Sequence, residues 1–138
     1  MNKIKIDKAD CAFSQYIRIR DGRCARCFSL VEYNDKGLPI SHTVSHYFGR
    51  ANENTRFDPE NADVLCMGCH KIWGSDDKES YRNFKIHQLG ANGFKALDFR
   101  AHIYCRKDRK LAYIKVNAML KNIMKLKKID IFQSGSMR

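Results

Sequence analysis

Two Cys-x-x-Cys pairs, Cys24/Cys27 and Cys66/Cys69, are the residues of this chain best suited to hold an ion. A structural zinc takes four soft ligands in a tetrahedron at about 2.3 Å, and the two-residue spacer lets both thiolates of a pair point at it. Four thiolates fill that coordination sphere, so His70, which directly follows Cys69, is left over. Between the pairs lie more groups with chemical potential: His42 and His46 in the run SHTVSH, and Asn61 ahead of the second pair. A histidine titrating near neutrality can deprotonate water. A divalent cation can take up the charge that builds on a phosphoryl centre and its leaving oxygen. His46 and His70 brought across a small cleft would therefore set a proton acceptor beside a candidate cation ligand.

The elements that must position these residues follow from pattern. Asp10 is expected to cap a helix running to about Arg20, with Phe13, Tyr16 and Ile17 on its apolar face and a turn at Asp21-Gly22. FSLVEY and LPISHTVSHYF read as the two strands of a hairpin turned by NDKG, with His42, Val44 and His46 alternating so that the two histidines share a face. Gly49 to Asn61 reads as loop. The second cysteine pair opens a helix through about Trp73, and a further helix is bounded by Ser75 as cap and Gly90 as stop. From Leu111 to Lys128 a basic helix carries Val116, Leu120 and Ile123 as one stripe, with Met119 and Leu126 beside it and Lys121, Lys125 and Lys128 on another face. The tail QSGSMR is expected to fray. A knuckle before a hairpin and a second knuckle opening a helix is the outline of a zinc-bound treble clef. The expected fold class is therefore a small α+β protein with flanking N-terminal and basic C-terminal helices.

The chain has 138 residues and a formal net charge of +11, which points to a polyanionic partner, most simply nucleic acid. No run of about 18 apolar residues could span a bilayer, and MNKIKIDKAD lacks a signal-peptide core. A reducing cytoplasm is expected, where six cysteines serve as metal ligands and thiols rather than disulfides. Cys11 and Cys105 lack a nearby cysteine and read as ordinary thiols.

The knuckles together with His46, Asn61 and His70 resemble the HNH, or His-Me finger, nucleases, whose ββα element holds one divalent metal. The resemblance implies that His46 is the general base and that His70 holds a catalytic Mg2+ or Mn2+. It implies that Asn61 supports the loop and orients the base, or reaches the metal itself. DCAFSQYIRIRDGRCARC, SHYFGR, TRFDPENADVLCMGC and YRNFKIHQLG are similar, in the same order, to segments of the phage NinG/Rap recombination proteins, with endonuclease VII a more distant likeness. This implies cutting of branched DNA such as Holliday junctions by a homodimer, with residues 1–95 as nuclease core and 96–138 as a basic helical extension. Ser45 stands where many of these enzymes carry an acidic ligand, which leaves the partner of His70 open among His42, Asp58, Glu60 and Asn61.

Arg50 and Arg56 flank the expected cleft, and guanidinium forks match phosphate oxygens. Lys121, Lys125 and Lys128 suit contact with the DNA backbone without reading sequence. Trp73, Tyr81 and Phe84 sit at spacings typical of core, and His87 and His102 read as ordinary. Two other functions stay open: an HNH nicking or double-strand endonuclease without junction preference, and a treble-clef DNA-binding module without catalysis.

Overall fold

Helix α1, Lys8–Asp21, is capped by Asp7 rather than by the expected Asp10. In this computed structural model, which describes residues 5–104 and 106–136, the two aspartates form a reciprocal capping box. Asp7 accepts from the Asp10 backbone N–H at 3.2 Å, and Asp10 accepts from that of Asp7 at 2.9 Å. Gly22 ends the helix at φ 71°, a left-handed conformation that a side chain would oppose. Phe13 and Ile17, one turn apart, are buried with Ala12 and Ile19.

The chain next gives two short antiparallel strands, β1 (Thr43–His46) and β2 (Ala62–Leu65), paired Val44 with Val64 and His46 with Ala62. This differs from the expected hairpin. FSLVEY and the residues before His42 make only isolated bridges, Arg23 with Leu30 and Tyr33 with Pro39. Phe28, Leu30 and Ile40 are exposed, so no layer covers a sheet there, and Phe28 and His42 interrupt it with positive φ. The sheet is thus ADVL against TVSH, with the Gly49 to Asn61 segment as the loop between them and a single 3-10 turn at Pro59–Asn61.

α2 (Met67–Lys71) begins at the second cysteine pair and runs into a π turn at Ile72–Asp76. That turn takes up Ser75, so Asp77 caps α3 (Lys78–His102) instead, accepting from the Ser80 N–H at 3.1 Å. Gly90 (φ 76°) does break α3, as expected of a stop, but the helix resumes beyond it. The last helix, α4 (Arg109–Ser136), continues through the part of QSGSMR that is described, where fraying was expected. Val116 and Leu120 of α4 are buried in one core with Phe13, Ile17, Val44 and Val64, and Ile123 lies against it. Met119 is half-buried and Leu126 exposed. The expected division at residue 95 falls within α3, and α4 shares its core with α1. Cys105 lies outside the described residues. The architecture is α+β, helices around a small antiparallel sheet. Among the described residues no helix is long and apolar enough to cross a membrane.

The two faces of the sheet have different partners. Val44 and His46 look toward α1, where the His46 ring lies 5.7 Å from that of Phe13. Ser45 and Asp63 look toward α3. There Tyr81 Oη donates to Asp63 Oδ2 at 3.0 Å and contacts the Ser45 carbonyl at 3.3 Å. Lys85, 0% exposed, reaches Asp63 at 3.2 Å, the Glu60 carbonyl at 2.5 Å and Gln88 Oε1 at 2.8 Å. Burial lowers the Lys85 pKa, and the Asp63 carboxylate works against that shift. Removing one partner of a buried pair strands the other's charge at a cost of about 3–5 kcal/mol, whereas replacing both with apolar groups is often neutral. Asp63→Ala is therefore expected to lower stability in urea denaturation by that amount, with most of the loss recovered in Asp63→Ala/Lys85→Met.

Candidate functional site

Cys24 and Cys27 lie in the turn after α1, and Cys66 and Cys69 at the start of α2. Their four Sγ atoms lie within 4.8 Å of one another. A tetrahedral ion with bonds of about 2.3 Å sets its sulfurs roughly 3.8 Å apart, and Cys27 Sγ and Cys66 Sγ are 3.8 Å apart. The residues therefore fit a structural metal ion such as zinc. The surroundings suit thiolates: Arg26 Nη1 donates to Cys69 Sγ at 3.4 Å, and the Cys27 N–H to Cys24 Sγ at 3.5 Å. Hydrogen bonding with Ser29 brings the Cys27 thiol down to about 6, while burial pushes the Cys69 thiol up to about 12. Cys24, Cys69, Leu65, Trp73 and Tyr81 form a second core beneath the site, with Trp73 stacked on Tyr81 at 5.0 Å and Phe84 against it, as their spacing suggested. Cys11 is an exposed free thiol.

Beside this centre lies a groove of about 1140 Å³ lined by both His46 and His70. His46 ends β1, and its Nε2 is 2.9 Å from the Arg56 carbonyl. A carbonyl only accepts, so Nε2 carries the ring proton and Nδ1 keeps its lone pair. Burial, reinforced by the charge of Arg50, pushes the His46 pKa down to about 4. This departs from the near-neutral titration expected from the sequence, because packing on Phe13 removes the water that would solvate an imidazolium. His70, in the first helical turn after the cysteines, is half-buried, and its ring makes no hydrogen bond among the described residues.

Asn61 is fully buried and fully used. Its Oδ1 accepts from the Phe48 N–H at 2.8 Å, and its Nδ2 donates to the Phe48 and Thr55 carbonyls at 2.9 and 3.0 Å. Of the two roles open to it, the amide is placed for supporting the loop, and its polar atoms are not turned to the groove.

Two expected site residues lie elsewhere. His42 does not share a face with His46. Its φ of 66° turns it toward the first knuckle, where Nε2 meets Ser29 Oγ at 2.9 Å and Nδ1 meets Ser41 Oγ at 2.9 Å. It is therefore not among the residues lining the groove. Arg56 is 3% exposed and bound to Asp10 through Nε at 2.8 Å and to Glu53 at 3.4 Å, so it is a core ion pair rather than a phosphate contact. Asp58 and Glu60 pair with Arg100 at 2.7 and 2.9 Å. Arg50 does line the groove, 3.8 Å from Asp10 Oδ1, with its Nε buried and without a hydrogen-bond partner. Lys121, Lys125 and Lys128 are exposed on α4.

Sequence reasoning missed Lys71, Lys78 and Arg82, which line the same groove against one carboxylate, Glu79. Their signal was too faint for a single sequence, since lysines and arginines on helices are ordinary. Among the described residues, the four cysteines are the one cluster of three or more metal-ligating side chains. Comparison with protein-family models, curated proteins and solved structures gives no match for this chain.

Two outcomes are expected. Elemental analysis finds one zinc per chain in the purified protein, and Cys69→Ser loses it together with cooperative melting. The fold prefers the neutral His46 ring, and unfolded histidine titrates near 6.5. That preference is complete above pH 6.5 and is lost as pH falls from 6.5 to about 4. Unfolding in urea across this window should show stability falling with acidification, with a smaller slope in His46→Leu.

Proposed function

We propose that this chain is a metal-dependent endodeoxyribonuclease of the HNH, or His-Me finger, class, built on a zinc-bound treble clef and related to the NinG/Rap recombination proteins. The observation that carries this reading is the shared groove of His46 and His70, with His46 held by the Arg56 carbonyl in the tautomer that leaves Nδ1 free. At physiological pH the ring is in the neutral form a general base must have, and its lowered pKa makes it a weaker base than a free imidazole. Water attacks phosphorus as its proton passes to His46 Nδ1. The bond from phosphorus to the 3′ oxygen breaks, and the leaving oxygen takes a proton from solvent. Asn61 holds the loop from Phe48 to Thr55, and so the Arg56 carbonyl that orients His46.

His70 is the groove residue suited to hold Mg2+ or Mn2+, which when bound supplies positive charge to the phosphoryl transition state. Such ions commonly keep several waters and take further oxygens from substrate phosphates, which matches a site with few protein ligands. Arg50, Lys71, Lys78 and Arg82 give the groove the charge that a DNA strand requires. The substrate class, branched DNA such as a four-way junction cut by a homodimer, rests on the resemblance of the motifs alone.

A DNA-binding module without catalysis is the second reading. Ser45 in the place of an acid favours it, as does the absence, among the described residues, of a metal-ligating cluster around His70. Cleavage of linear, forked and four-way DNA with Mg2+, Mn2+ or chelator separates the readings. His46→Ala is expected to lower the cleavage rate about 100-fold or more with zinc content and DNA affinity kept. A wild-type chain that binds DNA but cuts none of these substrates with either metal establishes the binding module.

A further inference from the structure

The bend at Gly90 opens a second pocket that the hydrolytic reading does not use. The left-handed glycine (φ 76°) redirects α3, so that Ile86 before the bend and Phe94, Lys95 and Asp98 beyond it wall one cavity of about 400 Å³ with Tyr47 and Phe48. Tyr47, Phe48 and Arg82 line this cavity and the His46 groove alike, so the two are neighbours that share a wall. Its walls are aromatic: Tyr47 meets Phe48 at 5.0 Å and Phe94 at 5.6 Å, both edge to face. The guanidinium of Arg82 stands over the Phe94 ring at 5.5 Å and adds a planar cation to the aromatic wall. Lys95 and Arg82 supply positive charge, and Asp98 supplies an acceptor.

We infer that this pocket receives one unpaired nucleobase of a strand whose backbone lies in the His46 groove. The inference rests on the reading of that groove as a DNA site. A base displaces roughly the volume of four waters, about 120 Å³, and fits with room for its sugar. Every base has a π face to set against the aromatic wall. The two cations complement the phosphates on either side of it, and the Asp98 carboxylate can accept from the exocyclic amino group of cytosine or adenine. A fully paired duplex cannot offer a base to the pocket, since its rings are stacked. The preferred substrates are thus those with an unpaired nucleotide near the cut, such as bulges, forks and single-stranded ends.

The test uses the zinc-loaded chain without Mg2+ or Mn2+, so that binding is read in the absence of cutting. The probes are two duplexes of one sequence with 2-aminopurine either paired or as a single-nucleotide bulge. Stacking on an aromatic side chain strengthens binding by about tenfold or more per base. Wild type is expected to bind the bulge at least about tenfold tighter than the paired duplex, with quenching of the bulged base. Phe94→Ala should lose both effects while keeping its affinity for paired DNA and its zinc, and Phe94→Tyr should retain them. Equal affinity of wild type for the two duplexes without quenching overturns the inference, whatever the variants do. So does an unchanged bulge preference in a folded Phe94→Ala. The groove is judged separately by the cleavage assay: cutting without bulge preference sinks the pocket alone, and bulge binding without cutting sinks hydrolysis alone.

Discussion

Four sulfurs drawn to within 4.8 Å of one another join the turn after α1 to the start of α2, and the positions of both histidines follow from that junction. A two-stranded sheet has little stability by itself in water. Here the β1–β2 pair is short, and its geometry is imposed from outside. The Ala25 N–H donates to the Val64 carbonyl at 2.8 Å, which ties the first knuckle to β2. Cys66 follows β2 directly, so the strand enters the four-cysteine cluster at its far end. With both ends of the knuckle pair anchored, α2 starts beside the sheet and carries His70 to the edge of the groove.

The opposite end of the sheet is governed by a buried amide rather than by the cysteine cluster. The connection from His46 to Asn61 is long for a hairpin and would be loose if it relied on turns alone. Asn61 closes it with three hydrogen bonds to backbone groups. Arg56 is pulled inward by Asp10, an acid that also completes the cap of α1. One helix start thus steadies both the N-terminal helix and the loop whose carbonyl holds the His46 ring. The arrangement explains how a histidine can be neutral, oriented and half-buried at once, where burial without a fixed acceptor would leave its ring free to choose either tautomer.

The groove itself is made by convergence of charges from separate elements. Arg50 comes from the loop, Lys71 from α2, Lys78 and Arg82 from α3. Only Arg50 stands out in sequence; no local pattern distinguishes the other three from solvated lysines and arginines elsewhere in a chain of charge +11. The misplaced residues have equally physical causes. The alternation that would put His42 beside His46 holds only while the strand continues, and a single positive φ at His42 ends it. Arg56 reads as surface cation until the long-range partner Asp10 is known, and nothing in the sequence links positions so far apart. The hairpin was assigned to FSLVEY because its residues favour strands, yet ADVL won the pairing, since only there do both faces of the sheet find cover, α1 on one side and α3 on the other.

The sequence by itself determined the features that depend on local spacing: two cysteine pairs able to share an ion, helix-forming stretches near α1, α3 and α4, and the net positive charge. These follow from covalent separation and side-chain type, which folding does not alter. Tertiary structure decided which strand pairs with His46, that Asn61 faces the loop backbone, that His46 is neutral, and that His42 and Arg56 belong to other contacts. Those properties depend on solvent exclusion and on distances between residues remote in the chain, and only the packed molecule sets either.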